Sequence, residues 1–324
     1  MIVADHISKY YGARRALTDL SFTIERNEVV GFLGLNGAGK TTVLKILSGL
    51  LLPSAGRVTV DGLDSLEHPR EVRRRIGFLP DRPPVYGDMT VRGMLSYAGR
   101  LNGVSAADID DRVDRVLAET QLSHVQGDLV EWLSHGYRQR LGIAQAIVHG
   151  PQLVILDEPI SGLDPEQIVG MRKLIRGLAE EHTVLLSSHI LGEISQTCDR
   201  ILVLHQGRIV AQGKESELVH GRSGSVVEVV ARGTPQAARG AVETVDGVAE
   251  YELLETSEDR LRFTVKVDGD PAREGVVRAL VEAGLGVRRV HDLEGAGLES
   301  VFLKLTRGAT EAQAARAEAQ GGAA

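Results

Sequence analysis

The chain has 324 residues, of which 43% are hydrophobic and 25% are charged. This length suggests two domains, and this balance excludes a disordered or fibrous protein over most of the chain. The 44 acidic residues exceed the 37 basic ones and give a net charge of −7, so no nucleic-acid partner is expected. The single cysteine, Cys198, excludes an internal disulfide and a thiolate metal site, as is typical of a reducing cytoplasm.

No stretch of the sequence approaches the ~18 consecutive apolar residues of a membrane-spanning helix. The run 29–35 is interrupted by Gly31 and Gly34, and the first residues, MIVADHISKYYG, lack the apolar core of a signal peptide. We therefore expect a cytoplasmic protein, so that any membrane-spanning partner is a separate chain.

Residues 1–220 alternate short apolar runs with helical patterns, which predicts an α/β domain with a largely parallel sheet. Buried strands are predicted at Val29–Leu33, Leu153–Leu156 and Val184–Leu186. A helix between two of these strands carries an apolar stripe at i, i+3, i+4 and i+7, formed by Met171, Leu174, Ile175 and Leu178.

The segment 88–150 has helical patterns and no strand pattern, so it is predicted to be a helical insertion into the α/β domain. Thr90 and Ser105 are the predicted N-caps. A second helical stripe within it consists of Ile109, Val113, Val116 and Leu117.

After His220 the small polar sequence GRSGS marks a domain boundary. The region 221–307 is predicted to be a small α+β domain of ferredoxin-like type, and 308–324 a flexible tail. Its predicted βαββαβ elements are a strand at Ser225–Ala231, a helix at Pro235–Val245, strands around Tyr251 and Phe263, a helix at Pro271–Ala283 and a strand at Gly286–Val290.

The segment Gly34–Thr41 matches the phosphate-binding pattern GxxxxGK[ST], after a predicted strand and before a predicted helix at 42–51. Glycines let the backbone wrap around phosphates, and the N-terminus of the following helix attracts anions. Lys40 would reach the β- and γ-phosphates, and Thr41 would bind Mg²⁺. The alternative is a glycine-rich structural turn.

Two acidic residues and a histidine follow the ends of predicted strands. Asp157 and Glu158 end one strand, and His189 follows another. Asp157 would bind Mg²⁺ through water and Glu158 would polarise an attacking water, while His189 would contact the γ-phosphate or that water. Two acids at a strand end are by themselves more often a solvated terminus, and a lone histidine is usually structural. Their order after a phosphate loop favours the functional interpretation.

A Ser/Gly turn at 133–140 precedes another helical pattern and forms a second candidate anion site. In this order, the elements of residues 1–220 resemble the P-loop ATP-binding subunits of ABC transporters. The family motifs fall at Tyr11 (the adenine-stacking aromatic), Gly34, Leu35, Asn36, Gly37, Ala38, Gly39, Lys40, Thr41 and Thr42 (Walker A), Asp81 (Q-loop), Leu133–Tyr137 (signature), Leu153–Glu158 (Walker B), Ser161–Asp164 (D-loop) and His189 (H-loop).

The resemblance implies an ATPase that uses ATP and Mg²⁺. Lys40, Glu158 and His189 would be catalytic, and Thr41, Asp157 and Asp81 would bind the metal. Two copies, expected to be a homodimer, would hold each ATP between the Walker A loop of one and the signature and D-loop of the other. The residues that face the partner's ATP would be Ser134, His135, Gly136, Tyr137 and Asp164. ATP-driven dimerisation would then energise a separate permease, leaving the subunit peripherally attached to the inner face of the membrane.

Four positions depart from the commonest family pattern: Leu35 replaces Pro, Asp81 replaces Gln, His135 replaces Gly and Tyr137 replaces Gln. The sequences LPDRPP and YRQR resemble the type-2 exporter branch.

The alternative function is a soluble ABC-type ATPase acting on DNA or ribosomes, although the long heptad insertion, zinc cysteines or tandem cassettes of such proteins are not seen. The permease contacts, or alternatively ordinary loop residues, are Arg82, Pro83, Pro84, Tyr86 and Met89.

Overall fold

A computed structural model describes residues 1–220, 225–257 and 260–292. The chain divides into two compact units, Met1–Gln212 and a second that begins at Gly213. This division after Gln212 precedes the boundary that the sequence GRSGS predicts after His220. Within the described ranges, no helix is long and apolar enough to cross a membrane.

The first unit contains an α/β core with a helical insertion. Its elements are β1 (Ile2–Tyr11), β2 (Arg14–Ile24), β3 (Val29–Leu33), α1 (Lys40–Leu47), β4 (Ala55–Val60), β5 (Leu63–Asp64), α2 (Pro69–Arg74), β6 (Ile76–Leu79), α3 (Val91–Leu101), α4 (Ile109–Glu119), α5 (His135–Ile147), β7 (Leu153–Asp157), α6 (Pro165–Leu178), β8 (Thr183–Ser188), α7 (Leu191–Thr197), β9 (Arg200–His205) and β10 (Arg208–Gly213).

The central sheet has six strands in the order β10-β9-β3-β8-β7-β6. The pairs from β9 to β6 are parallel. Every residue of β3, β7 and β8 is buried, which is why each reads as a continuous apolar run rather than an alternating one. Since parallel strands end at one edge, the residues that follow β3, β7 and β8 come together there.

A second sheet, β2-β1-β4-β5, is antiparallel and was not predicted from the sequence. The pairing of β1 with β2 shifts register at three places. His6 and Asp19, on these two strands, have φ values of 51° and 53°. Such irregularities break the period-two alternation by which a half-buried strand is detected.

Helices α3, α4 and α5 pack against one another in the predicted insertion. Thr90 caps α3, as predicted, by accepting a hydrogen bond from the Gly93 amide. The prediction for Ser105 is wrong, because α4 begins after Asp108. The Ser105 hydroxyl instead bonds both the backbone amide and the carboxylate of Asp108, and so closes the turn before the helix.

Over its described residues, the second unit contains a four-stranded antiparallel sheet in the order β12-β13-β11-β14. Its described elements are α8 (Glu215–His220), β11 (Ser225–Arg232), α9 (Pro235–Val242), β12 (Val248–Ser257), β13 (Arg260–Val267), α10 (Gly269–Glu282) and β14 (Gly286–Asp292). From β11 onward this is the βαββαβ order of a ferredoxin-like fold. The predicted end of this domain and the tail at 308–324 lie outside the described residues.

Candidate functional site

The phosphate loop connects β3 to α1 and depends on glycine at two close approaches. A Cβ on Gly34 would lie 2.5 Å from the Leu204 carbonyl oxygen. Gly39 has a φ of 111°, and a Cβ there would lie 2.7 Å from the Leu17 side chain. Gly39 also stands at the N-cap of α1, where no side chain caps the helix. The first amides of α1 are thus available to an anion.

The remaining members of the loop differ in exposure. Leu35, Asn36 and Gly37 are exposed, whereas Ala38 is buried and donates its amide to the Leu35 carbonyl at 3.0 Å. The exposed positions can present backbone to a ligand, so the Leu35 side chain does not alter the atoms that would face phosphate.

Lys40 opens α1 and is almost fully buried, with 6% of its side chain exposed. Its Nζ donates to the Gly34 carbonyl at 2.7 Å and lies 3.2 Å from Glu158 Oε1. The ammonium is thereby fixed between the beginning of the phosphate loop and the acid that follows β7.

Glu158 links three elements of the site. Its backbone has a φ of 52°, which is uncommon for a residue other than glycine. Its amide donates to Ser187 Oγ at 3.0 Å, and its Oε2 accepts from His189 Nδ1 at 2.9 Å. Lys40 and His189 therefore hold the two oxygens of one carboxylate, and His189, 39% exposed, forms the open side of the site.

Asp157, the last residue of β7, directly precedes Glu158 and is 2% exposed. Burial raises the pKa of its carboxyl, hydrogen bonds from Ser187 and Thr41 oppose that rise, and the negative charges of Glu158 and Asp81 add to it. The Ser187 hydroxyl donates to Asp157 Oδ1 at 2.6 Å. Thr41 and Asp81 therefore each interact with Asp157, which lies at the same sheet edge as Glu158.

The signature residues form a separate cluster at the start of α5. The Ser134 hydroxyl caps this helix by accepting from the Tyr137 amide at 3.4 Å, and Tyr137 Oη lies 3.0 Å from His124 Nε2. A cavity of about 620 Å³ opens beside them, lined by Ser134, Gly136, Tyr137, Asp164 and Gln167 among others. Among the described residues that line it, none belongs to the phosphate loop.

The D-loop reaches this cluster through α6. Asp164 caps α6 by accepting from the Gln167 amide at 2.9 Å. A Cβ on Gly136 would lie 2.4 Å from the end of the Gln167 side chain, so the beginnings of α5 and α6 pack closely. The structure therefore places the predicted signature and D-loop residues beside one another.

Two further residues predicted to bind nucleotide are Tyr11 and Thr42. Tyr11 ends β1, is 48% exposed, and has Lys9 Nζ 5.6 Å from its ring centroid. Thr42 follows Thr41 in α1 and is half-buried. An exposed ring at a strand end offers a flat surface for stacking.

Three residues that shape the site, Ser187, Ser188 and Glu193, were not predicted from the sequence. Ser187 bonds Asp157 and Glu158, while Ser188 Oγ donates to the buried Glu193 at 2.7 Å and accepts from the Ile190 amide at 3.0 Å. These bonds fix both sides of the turn that carries His189. The strand register that pairs Asp157 with Ser187 across β7 and β8 would have pointed to Ser187, but a single sequence does not reveal that register.

Comparison with known proteins places these clusters in context. A family model described as ABC transporter matches residues 17–161, a range that contains the phosphate loop, the signature and Glu158. Over 214 residues, the chain is 38% identical to the bacitracin transport ATP-binding protein BcrA of Bacillus licheniformis, covering 65% of this chain and 69% of the relative.

Two other similarities extend this result. Over 307 residues, the chain is 37% identical to the daunorubicin resistance ATP-binding protein DrrA3 of Streptomyces coeruleorubidus, covering 94% of this chain and 95% of the relative. The solved structure of cbiO1 from Clostridium perfringens, described as part of the ABC transporter complex cbiONQ, is 28% identical with a TM-score of 0.62, covering 68% of this chain and 90% of that one. The similarity to DrrA3 thus extends beyond the first unit.

Proposed function

Because the chain belongs to the ABC transporter ATP-binding proteins, which are ATPases, we propose that it hydrolyses Mg²⁺-ATP to energise a separate permease of an exporter. The observation that carries this proposal is the Glu158 carboxylate, held between Lys40 and His189 beside the phosphate loop. Glu158 polarises the attacking water and Lys40 compensates the charge of the β- and γ-phosphates. His189 orients that water or the γ-phosphate.

Magnesium is proposed at Thr41, Asp157 and Asp81. Among the residues that the structure describes, no group of three His, Cys, Asp or Glu side chains could hold a metal by itself. This fits Mg²⁺, which is commonly bound by one or two carboxylates together with waters and substrate phosphates. When bound, the metal supplies positive charge to the phosphate oxygens. Burial of Asp157 supports this assignment, because a buried carboxylate gains from a nearby cation.

A second copy of the chain is proposed to complete each ATP site. Among the described residues, none of the phosphate loop lines the signature cavity, which presents the Ser134 hydroxyl and the Gly136 amide at the start of α5. In a head-to-tail homodimer these groups, with Tyr137 and Asp164, face the partner's γ-phosphate, while His135 lies between Ser134 and Gly136 with its imidazole turned to the Ser161 carbonyl of its own chain. ATP then holds the dimer together and hydrolysis releases it, while Tyr11 stacks on adenine.

The permease is proposed to dock on the segment that follows Asp81. Tyr86 is 54% exposed and meets the exposed Tyr97 edge to face at 5.8 Å between ring centroids. Exposed aromatic rings are typical of protein interfaces. Arg82, Pro83, Pro84 and Met89 flank this pair. The relatives' names refer to bacitracin transport and daunorubicin resistance, and cbiO1 is described as part of a transporter complex, which supports a subunit attached to the inner face of a membrane.

Glu158→Gln tests the proposed ATPase cycle. The amide keeps the shape of the side chain but no longer attracts a proton from water, so turnover should fall at least about a hundredfold while ATP binding persists. Gel filtration with ATP and Mg²⁺ should then show an accumulated dimer. Glu180→Gln, at an exposed position on the same unit, is the control and should behave as wild type. Wild-type turnover in Glu158→Gln, or a size that does not respond to ATP, would contradict the proposal.

A further inference from the structure

His135 makes a contact that the usual glycine at this signature position could not make. Its Nε2 lies 3.0 Å from the carbonyl oxygen of Ser161 in the D-loop. A carbonyl oxygen only accepts hydrogen bonds, so His135 Nε2 carries the hydrogen and donates it. The signature and the D-loop of one chain are therefore joined directly.

The connection continues to the acid that follows β7. The Ser161 amide donates to the Glu158 carbonyl at 3.1 Å, so Ser161 closes a turn that begins at Glu158. Gly162 follows with a φ of 75°, and a Cβ on it would lie 3.3 Å from His135 Nε2. The imidazole thus packs against the far end of the turn that bears Glu158. We call these two hydrogen bonds, His135 to Ser161 and Ser161 to Glu158, the His135 bridge.

We propose that the His135 bridge couples the two ATP sites of the dimer, with His135 as a positioning residue for Glu158 of its own chain. This inference rests on the proposed function, in which the signature contacts the partner's ATP while Glu158 serves the chain's own ATP. A signature that closes on the partner's nucleotide holds Ser161, and through it Glu158, in one orientation. His135 acts through these bonds and touches neither water nor phosphate.

Mixed dimers test the direction of this coupling. One protomer carries Glu158→Gln, so the only working site combines Glu158 of the other protomer with the signature of the Glu158→Gln protomer. His135→Gly on the protomer that keeps Glu158 should lower kcat about threefold to tenfold, as expected for loss of one hydrogen bond, with the KM for ATP unchanged. On the Glu158→Gln protomer, His135→Gly should leave kcat unchanged.

Two control variants separate the bridge from a general structural effect. His135→Gln supplies a side-chain N–H without an imidazole and should restore most of kcat on the protomer that keeps Glu158. His68→Gly, at a half-exposed histidine before α2, should leave kcat unchanged.

Three other outcomes would contradict either the coupling or the proposed function. If His135→Gly acts only on the Glu158→Gln protomer, His135 contacts the partner's nucleotide and the coupling is refuted. Loss of kcat that His135→Gln fails to restore also refutes it. If Glu158→Gln alone forms no dimer with ATP, the proposed function has failed before the His135 variants are compared.

Discussion

At the scale of single residues, Asp157 is held as a buried acid in a negatively charged environment. Its neighbours include Glu158 and Asp81, and burial raises the pKa of its carboxyl above the ordinary value. The hydrogen bond from Ser187 compensates only part of this cost. Ionised Asp157 therefore destabilises the protein in the absence of a cation, and this cost is the expected counterpart of a metal-binding role.

Asp157→Asn should stabilise the metal-free protein at neutral pH while abolishing ATPase activity. The pKa of Asp157 is higher in the folded than in the unfolded chain, because burial disfavours the ionised carboxylate. Ionised Asp157 therefore lowers the free energy of unfolding, and this loss is complete at pH values above the folded pKa. Below the unfolded pKa both states are protonated and the cost disappears. Urea denaturation in EDTA should thus show a higher midpoint for Asp157→Asn at neutral pH, with the gain shrinking as the pH falls.

The control for this comparison is Asp88→Asn, at an exposed carboxylate, which should change stability by no more than about 0.5 kcal/mol. A lower urea midpoint for Asp157→Asn at neutral pH would show that the ionised carboxylate contributes more through its hydrogen bonds than burial costs.

At the scale of elements, strands and helices with a regular apolar pattern were predicted from the sequence, whereas strands with an irregular pattern were not. The buried strands β3, β7 and β8 were predicted because continuous apolar runs follow from burial on both faces, and all four residues of the α6 stripe are buried. The antiparallel sheet was missed because register shifts interrupt the alternation in β1 and β2. In the candidate site, the order of motifs along the chain predicted Lys40 and Glu158 as functional residues. The contribution of Ser187 depends on strand register, which local patterns do not encode.

The cap of α3 gives an element-scale prediction. The Thr90 hydroxyl accepts from the Gly93 amide at 3.1 Å, so Thr90→Ala leaves one amide of the first turn without its partner. We expect a loss of about 1 kcal/mol in the free energy of unfolding, measured by urea denaturation. Thr90→Ser keeps the acceptor and should lose only a few tenths of a kcal/mol. Equal losses in both variants would assign the role of Thr90 to its methyl group.

At the scale of the whole molecule, each compact unit has its own apolar core. Phe32 on β3 lies in the first core and meets Phe22 at 5.4 Å between ring centroids. Phe263 on β13 lies in the second core and meets Tyr251 at 5.2 Å. Each of these two phenylalanines is fully buried on a strand with neighbours on both sides. The two positions therefore form a matched pair for measuring how stability is divided along the chain.

Phe263→Ala should lower the unfolding free energy of the second unit by about 3–5 kcal/mol, because it removes a large buried side chain from a close-packed core. Hydrogen exchange resolved by peptide should show faster exchange in β11 and β13, with β3 and β7 as protected as in wild type. Phe32→Ala should give the reciprocal result, since proteins with separate cores open in separate cooperative units. If either substitution accelerates exchange equally in both units, the chain unfolds as one cooperative body, and the second unit contributes to the stability of the first.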